Sequence, residues 1–351
     1  MKHNTISIKS DLGGLSNPLE FNNPVNIDGY DKSTLIDCLC AMLRVRLAEE
    51  TIADMAESGE AKCPVHLAIG QEAISVGLAT NLRKTDRGFG NHRSHGHYLA
   101  MGGEARKLFA EVLGKATGCS HGFGGSMHLY GKDVGFYGSV PIVAGTIPLA
   151  VGAGIAAKFD GNGDVALAFF GDGACEEGVF HESLNMAAIM KLPVIFVVEN
   201  NLFSSHLDIN LRQPSDKISR FAEAARMNHY TIDGNNVCEV MDKTKKLVDK
   251  ARANNEPALI EAVTYRWRGH VGPREDIDVG IRRSQEEINA WKKRDPIERL
   301  LISLIENGYY DREKLNSLVT EIKEEFAAMR SEVLKDPAPE EKTLMEYVYA
   351  S

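Results

Sequence analysis

The stretch from Val165 to Asn201, VALAFFGDGACEEGVFHESLNMAAIMKLPVIFVVENN, decides the fold. Val165 to Phe170 is an unbroken apolar run followed by Gly-Asp-Gly, and Val194 to Glu199, VIFVVE, reads as the next buried strand, followed by Asn-Asn. Runs of this kind are expected of parallel strands buried on both faces. Glu176 to Met190 reads as helix, so residues 174 to 199 supply the helix and strand of one crossover. A third run, Ala258 to Thr264, follows more helix around Cys238 to Asn254. Strands alternating with helices predict an α/β fold, a Rossmann-like parallel sheet flanked by helices.

Gly171-Asp172-Gly173 and Asn200-Asn201 then fall at the carboxyl edge of neighbouring strands, where open α/β sheets bind ligands. Gly171 and Gly173 let the backbone turn tightly and approach a ligand closely. A helix starting after Gly173 would offer free N–H groups and its positive dipole end to a diphosphate. Asp172 brings a hard carboxylate oxygen and Asn201 an amide oxygen. With diphosphate oxygens and water, that sparse set suits magnesium. Either short motif alone is ordinary turn chemistry; the joint placement after two buried strands singles them out.

Working outward, residues 1 to about 30 carry Gly, Asn and Pro without periodicity and read as an N-terminal arm. Residues 31 to 351 read as a single α/β domain. It opens on a helix with Leu35, Leu39, Met42, Leu43 and Leu47 on one face and Gly59 as its stop. Cys63 to Tyr137 is rich in Gly and His, which predicts functional loops between shorter helices. A helical C-terminal region spans about residues 284–351: Asp295, Pro296 and Glu298 form a cap, a first-turn proline and a capping-box acid. Leu315, Leu318, Ile322, Phe326, Met329 and Val333 keep helical spacing through the last long helix.

The bulk numbers exclude several classes. The chain has 351 residues, 43% hydrophobic, and a net charge of −9 with its basic residues scattered. Nucleic acid is therefore not an expected partner. The six cysteines form no paired CxxC sets, which argues for reduced thiols rather than structural zinc. No apolar run nears the roughly 18 residues of a membrane span, and MKHNTISIKSDLGG lacks a signal-peptide core. A cytoplasmic, soluble protein with no membrane partner is the expectation. A rival reading comes from Gly152-Ala153-Gly154-Ile155-Ala156-Ala157, which fits GxGxxA, with Asp172 at ribose-binding spacing, as in an NAD-binding Rossmann dehydrogenase. Pro148 stands where that fingerprint needs a strand and suits the first turn of a helix instead.

The GDG…NN pair occurs together with GGSMH (Gly124 to His128), GQEA (Gly70 to Ala73) and the MAA–KLP phrasing from Met186 to Pro193. With these, the chain resembles the alpha subunit of the thiamine-diphosphate-dependent first component of 2-oxo acid dehydrogenase complexes, of the pyruvate and acetoin dehydrogenase type. The resemblance runs from about Asp31 to the C-terminal helices. It implies a thiamine-diphosphate-binding fold with thiamine diphosphate and Mg2+ as cofactors. By it, Asp172, Asn201 and the Phe203 carbonyl would ligate magnesium, and the backbone at Gly171, Gly173 and Ala174 would hold a phosphate.

The same resemblance places an aromatic-Arg pair on the diphosphate. Here that pair is His92-Arg93, so Arg93 carries over and His92 departs from the pattern. A guanidinium there can bind phosphate oxygens bidentately. His270 and His66 match active-site histidines of the family and are the catalytic candidates. Pro141, Ile142 and Val143 align with the segment that grips and bends the aminopyrimidine; Pro141 replaces a glycine and stiffens it. His95, His97 and His128 read as structural. His92, His95 and His97 are not read as a metal site, for want of a fourth ligand. Tyr265 to Ser284 corresponds to a loop that closes over the cofactor, with Gly269, Gly272 and Gly280 as its pivots.

The implied activity is oxidative decarboxylation of a 2-oxo acid, pyruvate being favoured over acetoin and branched substrates, with acyl transfer to a lipoyl acyltransferase. A glutamate from a beta subunit would complete the site across an interface, so the chain is expected to act only in an α2β2 assembly. A non-catalytic cofactor-binding scaffold is the remaining alternative.

Overall fold

The computed structural model describes residues 10–275, 277–278 and 281–347. Its centre is a parallel six-stranded sheet. The strands are β1 (Arg87–Gly90), β2 (Phe136–Ser139), β3 (Ala166–Gly171), β4 (Val194–Asn200), β5 (Asn228–Asp233) and β6 (Ala258–Val263). They lie in the order β2-β1-β3-β4-β6-β5. The chain leaves β1 on one side to make β2 and comes back on the other side to make β3. That reversal opens a crevice beyond the carboxyl ends of β1 and β3.

The helices are α1 (Lys32–Glu57), α2 (Glu72–Ala79), α3 (His95–Ala100), α4 (Ala105–Val112), α5 (Ile147–Asp160) and α6 (Gly178–Met190), followed by α7 (Arg220–Ala224), α8 (Val237–Asn254), α9 (Gln285–Lys292), α10 (Pro296–Glu306) and α11 (Arg312–Val333). Alternation along β3 and β4 divides them into layers. Ala166, Ala168, Phe170, Phe196 and Val198 meet Ala150, Val151, Phe180 and Leu184 of α5 and α6. Leu167, Phe169, Ile195 and Val197 face the other way, onto Ile74 and Leu78 of α2 and Val240, Leu247 and Val248 of α8. Both faces of these strands are therefore buried, which is why their sequence reads as continuous apolar runs.

A separate core forms where α1 meets the C-terminal helices, through Leu35, Leu39, Met42, Leu300, Leu304, Ile322 and Phe326. Burying each such side chain is worth about 1.5–3 kcal/mol, and side-chain caps fix the helix starts. Asp31 accepts from Thr34 N, Asp295 from Ile297 N with Pro296 in the first turn, and Asp311 from Lys314 N. The described part of the N-terminal arm is pinned rather than loose. Arg294 Nη1 donates to Leu15 O at 2.7 Å and Arg299 Nε to Asn23 O at 2.9 Å.

Two local expectations are corrected. The segment after Gly173 is not yet α-helix: Asp172–Glu176 is a 3-10 turn, and α6 begins only at Gly178. The run Gly152 to Ala157 lies in the middle of α5, with Pro148 in its first turn and no strand leading into Gly152. A Cβ at Gly154 would stand 2.4 Å from Val194 Cγ2, so this glycine serves helix–sheet contact. The dinucleotide reading is set aside on that geometry. No helix among the described residues is long and apolar enough to cross a membrane. Gly280, read as a loop pivot, lies outside the described residues.

Candidate active site

The candidate residues of the GDG…NN pair, and most of the others, lie at or just beyond the carboxyl end of a strand. Asn91, His92 and Arg93 follow β1; Pro141 to Val143 follow β2; Asp172 and Gly173 follow β3; Asn201 and Phe203 follow β4; Arg266 and His270 follow β6. His66 arrives on the segment before α2. Together they line one cavity of about 240 Å³. A wider polar cleft of about 630 Å³, between α1 and α11, is lined by Glu50, Asp54, Lys323 and Arg330 and contains none of these groups.

Asp172 is 1% exposed. Its Oδ2 accepts from Arg212, which also pairs with Glu176, while its Oδ1 is buried with no hydrogen-bond partner. Burial raises the pKa of this carboxyl, and the Arg212 guanidinium works against the rise. Asn201 donates from Nδ2 to Gln71 Oε1 at 3.3 Å, and its Oδ1 accepts from Phe203 N at 3.3 Å. Gln71 is itself buried, and its Nε2 has no partner. A lone carboxylate oxygen beside a braced amide is a donor set that fits a hard divalent cation.

Neither glycine serves a positive-φ turn, and only Gly173 serves a close approach. Gly171 is extended at φ −85° and ψ 169°, and Gly173 is not among the residues with positive φ. At Gly173 a Cβ would meet Ser204 Oγ at 2.4 Å and Ser204 Cβ at 2.8 Å.

Arg93, 4% exposed, donates from Nη1 to Leu67 O at 2.7 Å and from Nη2 to His270 O at 3.2 Å. Its Nη2 also lies 3.5 Å from His270 Nδ1. The rings of His66, His92 and His270 form a triangle, with centroids 4.7, 5.0 and 5.2 Å apart. Burial first, then the Arg93 charge, lowers His66 to a pKa of about 3 and His92 to about 2. Both imidazoles are neutral at physiological pH. Ile142 and Val143 stand at the mouth, 72% and 51% exposed.

The other histidines have structural posts. His95 bridges Glu49 Oε2 and Ser126 Oγ, both at 2.8 Å, in full burial. His97 pairs with Glu199 Oε1 at 2.9 Å and stacks on Phe169. His128 is exposed. Sequence reasoning missed Gln71, Arg212 and Arg266. Gln71 stands inside the GQEA motif that served only as a family marker. Arg266, which donates to Ser205 O at 2.7 Å, was part of a loop read for its charge. Arg212 carried no sequence signal.

A family model described as the dehydrogenase E1 component matches residues 40–342. The chain belongs to that family. It is 35% identical over 340 residues to the pyruvate dehydrogenase E1 component subunit alpha of Porphyra purpurea, covering 95% of this chain and 97% of the relative. It is 34% identical over 310 residues to the alpha subunit of the acetoin:2,6-dichlorophenolindophenol oxidoreductase of Bacillus subtilis, covering 88% and 92%. A chloroplastic pyruvate dehydrogenase alpha-3 subunit of Arabidopsis thaliana is 38% identical over 316 residues, covering 88% and 73%. Membership implies a thiamine-diphosphate-dependent oxidoreductase and, for an alpha subunit, a beta partner within a multienzyme complex. The α/β fold and the alpha-subunit reading of the sequence agree with this.

Proposed function

We propose that this chain is the alpha half of an enzyme that oxidatively decarboxylates a small 2-oxo acid, pyruvate foremost, and passes the acyl group to a lipoyl acyltransferase. The observation that carries the reading is Asp172 Oδ1, a buried carboxylate oxygen without a partner, at the switch point of a doubly wound sheet. Asp172, Asn201 and the Phe203 carbonyl would hold Mg2+. Arg93, His92 and His270 would take the diphosphate, with the backbone of Gly171, Gly173 and Ala174 beside it. Pro141 and Val143 would face the aminopyrimidine.

When bound, thiamine diphosphate supplies the electron sink that decarboxylation needs. The chain's own part is to bind, orient and exclude water. Arg93 offers a positive, nearly buried fork to phosphate oxygens. His66 and His270, catalytic in this reading, stand near the reacting end: burial holds the His66 imidazole neutral, fit to accept or donate a hydrogen bond, and Arg93 lies against the His270 ring. The mouth formed by Ile142 and Val143 supports completion by the beta subunit in an α2β2 assembly, for which a cytoplasmic setting is proposed.

The test is a tagged chain purified from its host with its partner, supplied with Mg2+ and thiamine diphosphate. Ferricyanide reduction is followed on pyruvate, acetoin and branched 2-oxo acids. Turnover on pyruvate that is lost in Asp172→Ala supports the proposal, and turnover on acetoin alone transfers it to the acetoin class. A folded, cofactor-loaded complex that turns over none of them overturns it.

A further inference from the structure

We propose that His66, His92 and His270 form a second cation site, one for a borderline transition ion such as Zn2+, filled only when the diphosphate end of the cofactor is absent. Its exclusive character rests on the cofactor placement above. Among the described residues, this is the one group of three histidine, cysteine or acidic side chains with metal-holding proximity, its ligand atoms all within 4.8 Å of one another.

The ring geometry is that of three imidazoles around one ion. A metal–nitrogen bond of about 2.0–2.1 Å at tetrahedral angles puts the ring centroids about 5 Å apart. The observed separations are 4.7, 5.0 and 5.2 Å, with the planes inclined at 67°, 78° and 63°. The ring centroids match that spacing, and the ligand atoms, all within 4.8 Å of one another, must draw in to about 3.3 Å on binding. His66 Nδ1 is buried with no hydrogen-bond partner, a nitrogen that nothing in the fold uses.

The three residues come from separate segments that the backbone locks together. Gly272 N donates to Val65 O at 2.8 Å and Trp267 N to Ile69 O at 3.0 Å, tying the His270 loop along the His66 segment. Arg93 N donates to Asn91 Oδ1 at 2.6 Å and fixes the turn that carries His92.

Ligand chemistry separates this site from the one at Asp172. Imidazole nitrogens prefer zinc, nickel and copper, whereas carboxylate and amide oxygens prefer magnesium. Three protein ligands leave a fourth position open. With Arg93 and Arg266 lining the same cavity, that position favours an anion, which offsets the crowding of positive charge. The site depends on His92: the aromatic-Arg pattern of the resemblance would leave two imidazoles, too few for such a site.

The probe is Co2+, read by its visible ligand-field absorption on the full-length, chelator-stripped chain, with Zn2+ as the displacing ion. The wild-type chain should take one Co2+. His92→Tyr and His66→Gln should each weaken binding by more than the about 10–100-fold lost with an outer-shell partner, with circular dichroism confirming the fold of both. A folded wild-type chain that binds no Co2+, or two variants that bind it unchanged, overturns the site. Adding Mg2+ and thiamine diphosphate should then release Co2+. Retention of both together defeats the exclusion. Co2+ binding by the chain together with its beta partner, with no thermal shift from Mg2+ and thiamine diphosphate, leaves the histidine site standing and sinks the cofactor placement.

Discussion

Arg212 occupies one oxygen of Asp172 and leaves the other bare. The pair is nearly sealed from water, with side chains 7% and 1% exposed, and Arg212 also reaches Glu176. A cation that takes Asp172 must share it with this guanidinium or displace it. Removing one partner of a buried pair costs about 3–5 kcal/mol, so Arg212→Gln should melt earlier than wild type without ligands. Added Mg2+ and thiamine diphosphate would restore a charge to Asp172. Their stabilising shift, measured by thermal denaturation, should be larger in the variant than in wild type. A smaller shift would mean that Arg212 helps to hold the metal and does not compete with it.

Gln71 supports Asn201 from behind. Its Oε1 accepts the Asn201 amide, which leaves Asn201 Oδ1 directed by Phe203 N alone when Gln71 is cut back. Loss of such a supporting partner typically weakens metal affinity about 10–100-fold. Gln71→Ala should raise the Mg2+ concentration needed for cofactor binding by that order. Gln71→Glu, which keeps an acceptor in place, should change it less. Magnesium titrations of cofactor binding, read by tryptophan fluorescence, decide this; equal curves for Gln71→Ala and wild type count against the support.

How much of this was legible depends on which face a residue serves. β3, β4 and β6 are buried on both sides, so apolar runs within a residue of their ends gave them away. β1, β2 and β5 carry RGFG, FYGS and NHYTID, too short or too polar to show a run. β1 pays no penalty for its glycines because the neighbours need the space: a Cβ at Gly90 would lie 2.1 Å from Ser94 Oγ. The Asp295 cap was readable because it acts two residues away, on Ile297 N; Asp31 and Asp311 cap in the same way but were not read from the sequence.

The site was legible where its parts sit just after a strand. Asp172, Asn201, Arg93 and His270, each following a strand, line one cavity with His66, which arrives from the segment before α2. What stayed hidden depends on long-range pairing. Arg212 meets Asp172 across 40 residues of sequence, and nothing local to Arg212 records that partner. The three-histidine triangle is hidden for the same reason, since His66, His92 and His270 are far apart in the chain. The neighbouring cluster His92, His95 and His97 looked more like a group, yet the fold sends the last two into Glu49 and Glu199.

Gly173 and Ser204 are a matched pair. The Gly173 backbone passes so near Ser204 that an added methyl meets both Ser204 Oγ and Cβ, and rotating the hydroxyl relieves only one contact. Overpacking of this kind costs about 1–3 kcal/mol. Gly173→Ala should lower the melting temperature and weaken cofactor binding. Adding Ser204→Gly should recover the stability, measured by calorimetry. If the double variant is no more stable than the single one, the clash is not the cause.

Neutral His66 and His92 make stability depend on pH in a defined direction. In the unfolded chain both titrate near 6.5, while in the fold burial and the Arg93 charge hold them to about 3 and about 2. Below pH 6.5 the unfolded state therefore binds protons that the folded state refuses. Stability falls as pH drops through that range and no longer changes from this source above it. The melting temperature of the chain, free of metal and cofactor, should decline from pH 7 toward pH 5. A His66→Asn, His92→Phe double variant has neither proton to refuse, so its decline should be shallower. Parallel slopes for the two proteins would show that the acid sensitivity arises elsewhere, in carboxylates such as those that pair with buried arginines, and that these imidazoles are not held neutral.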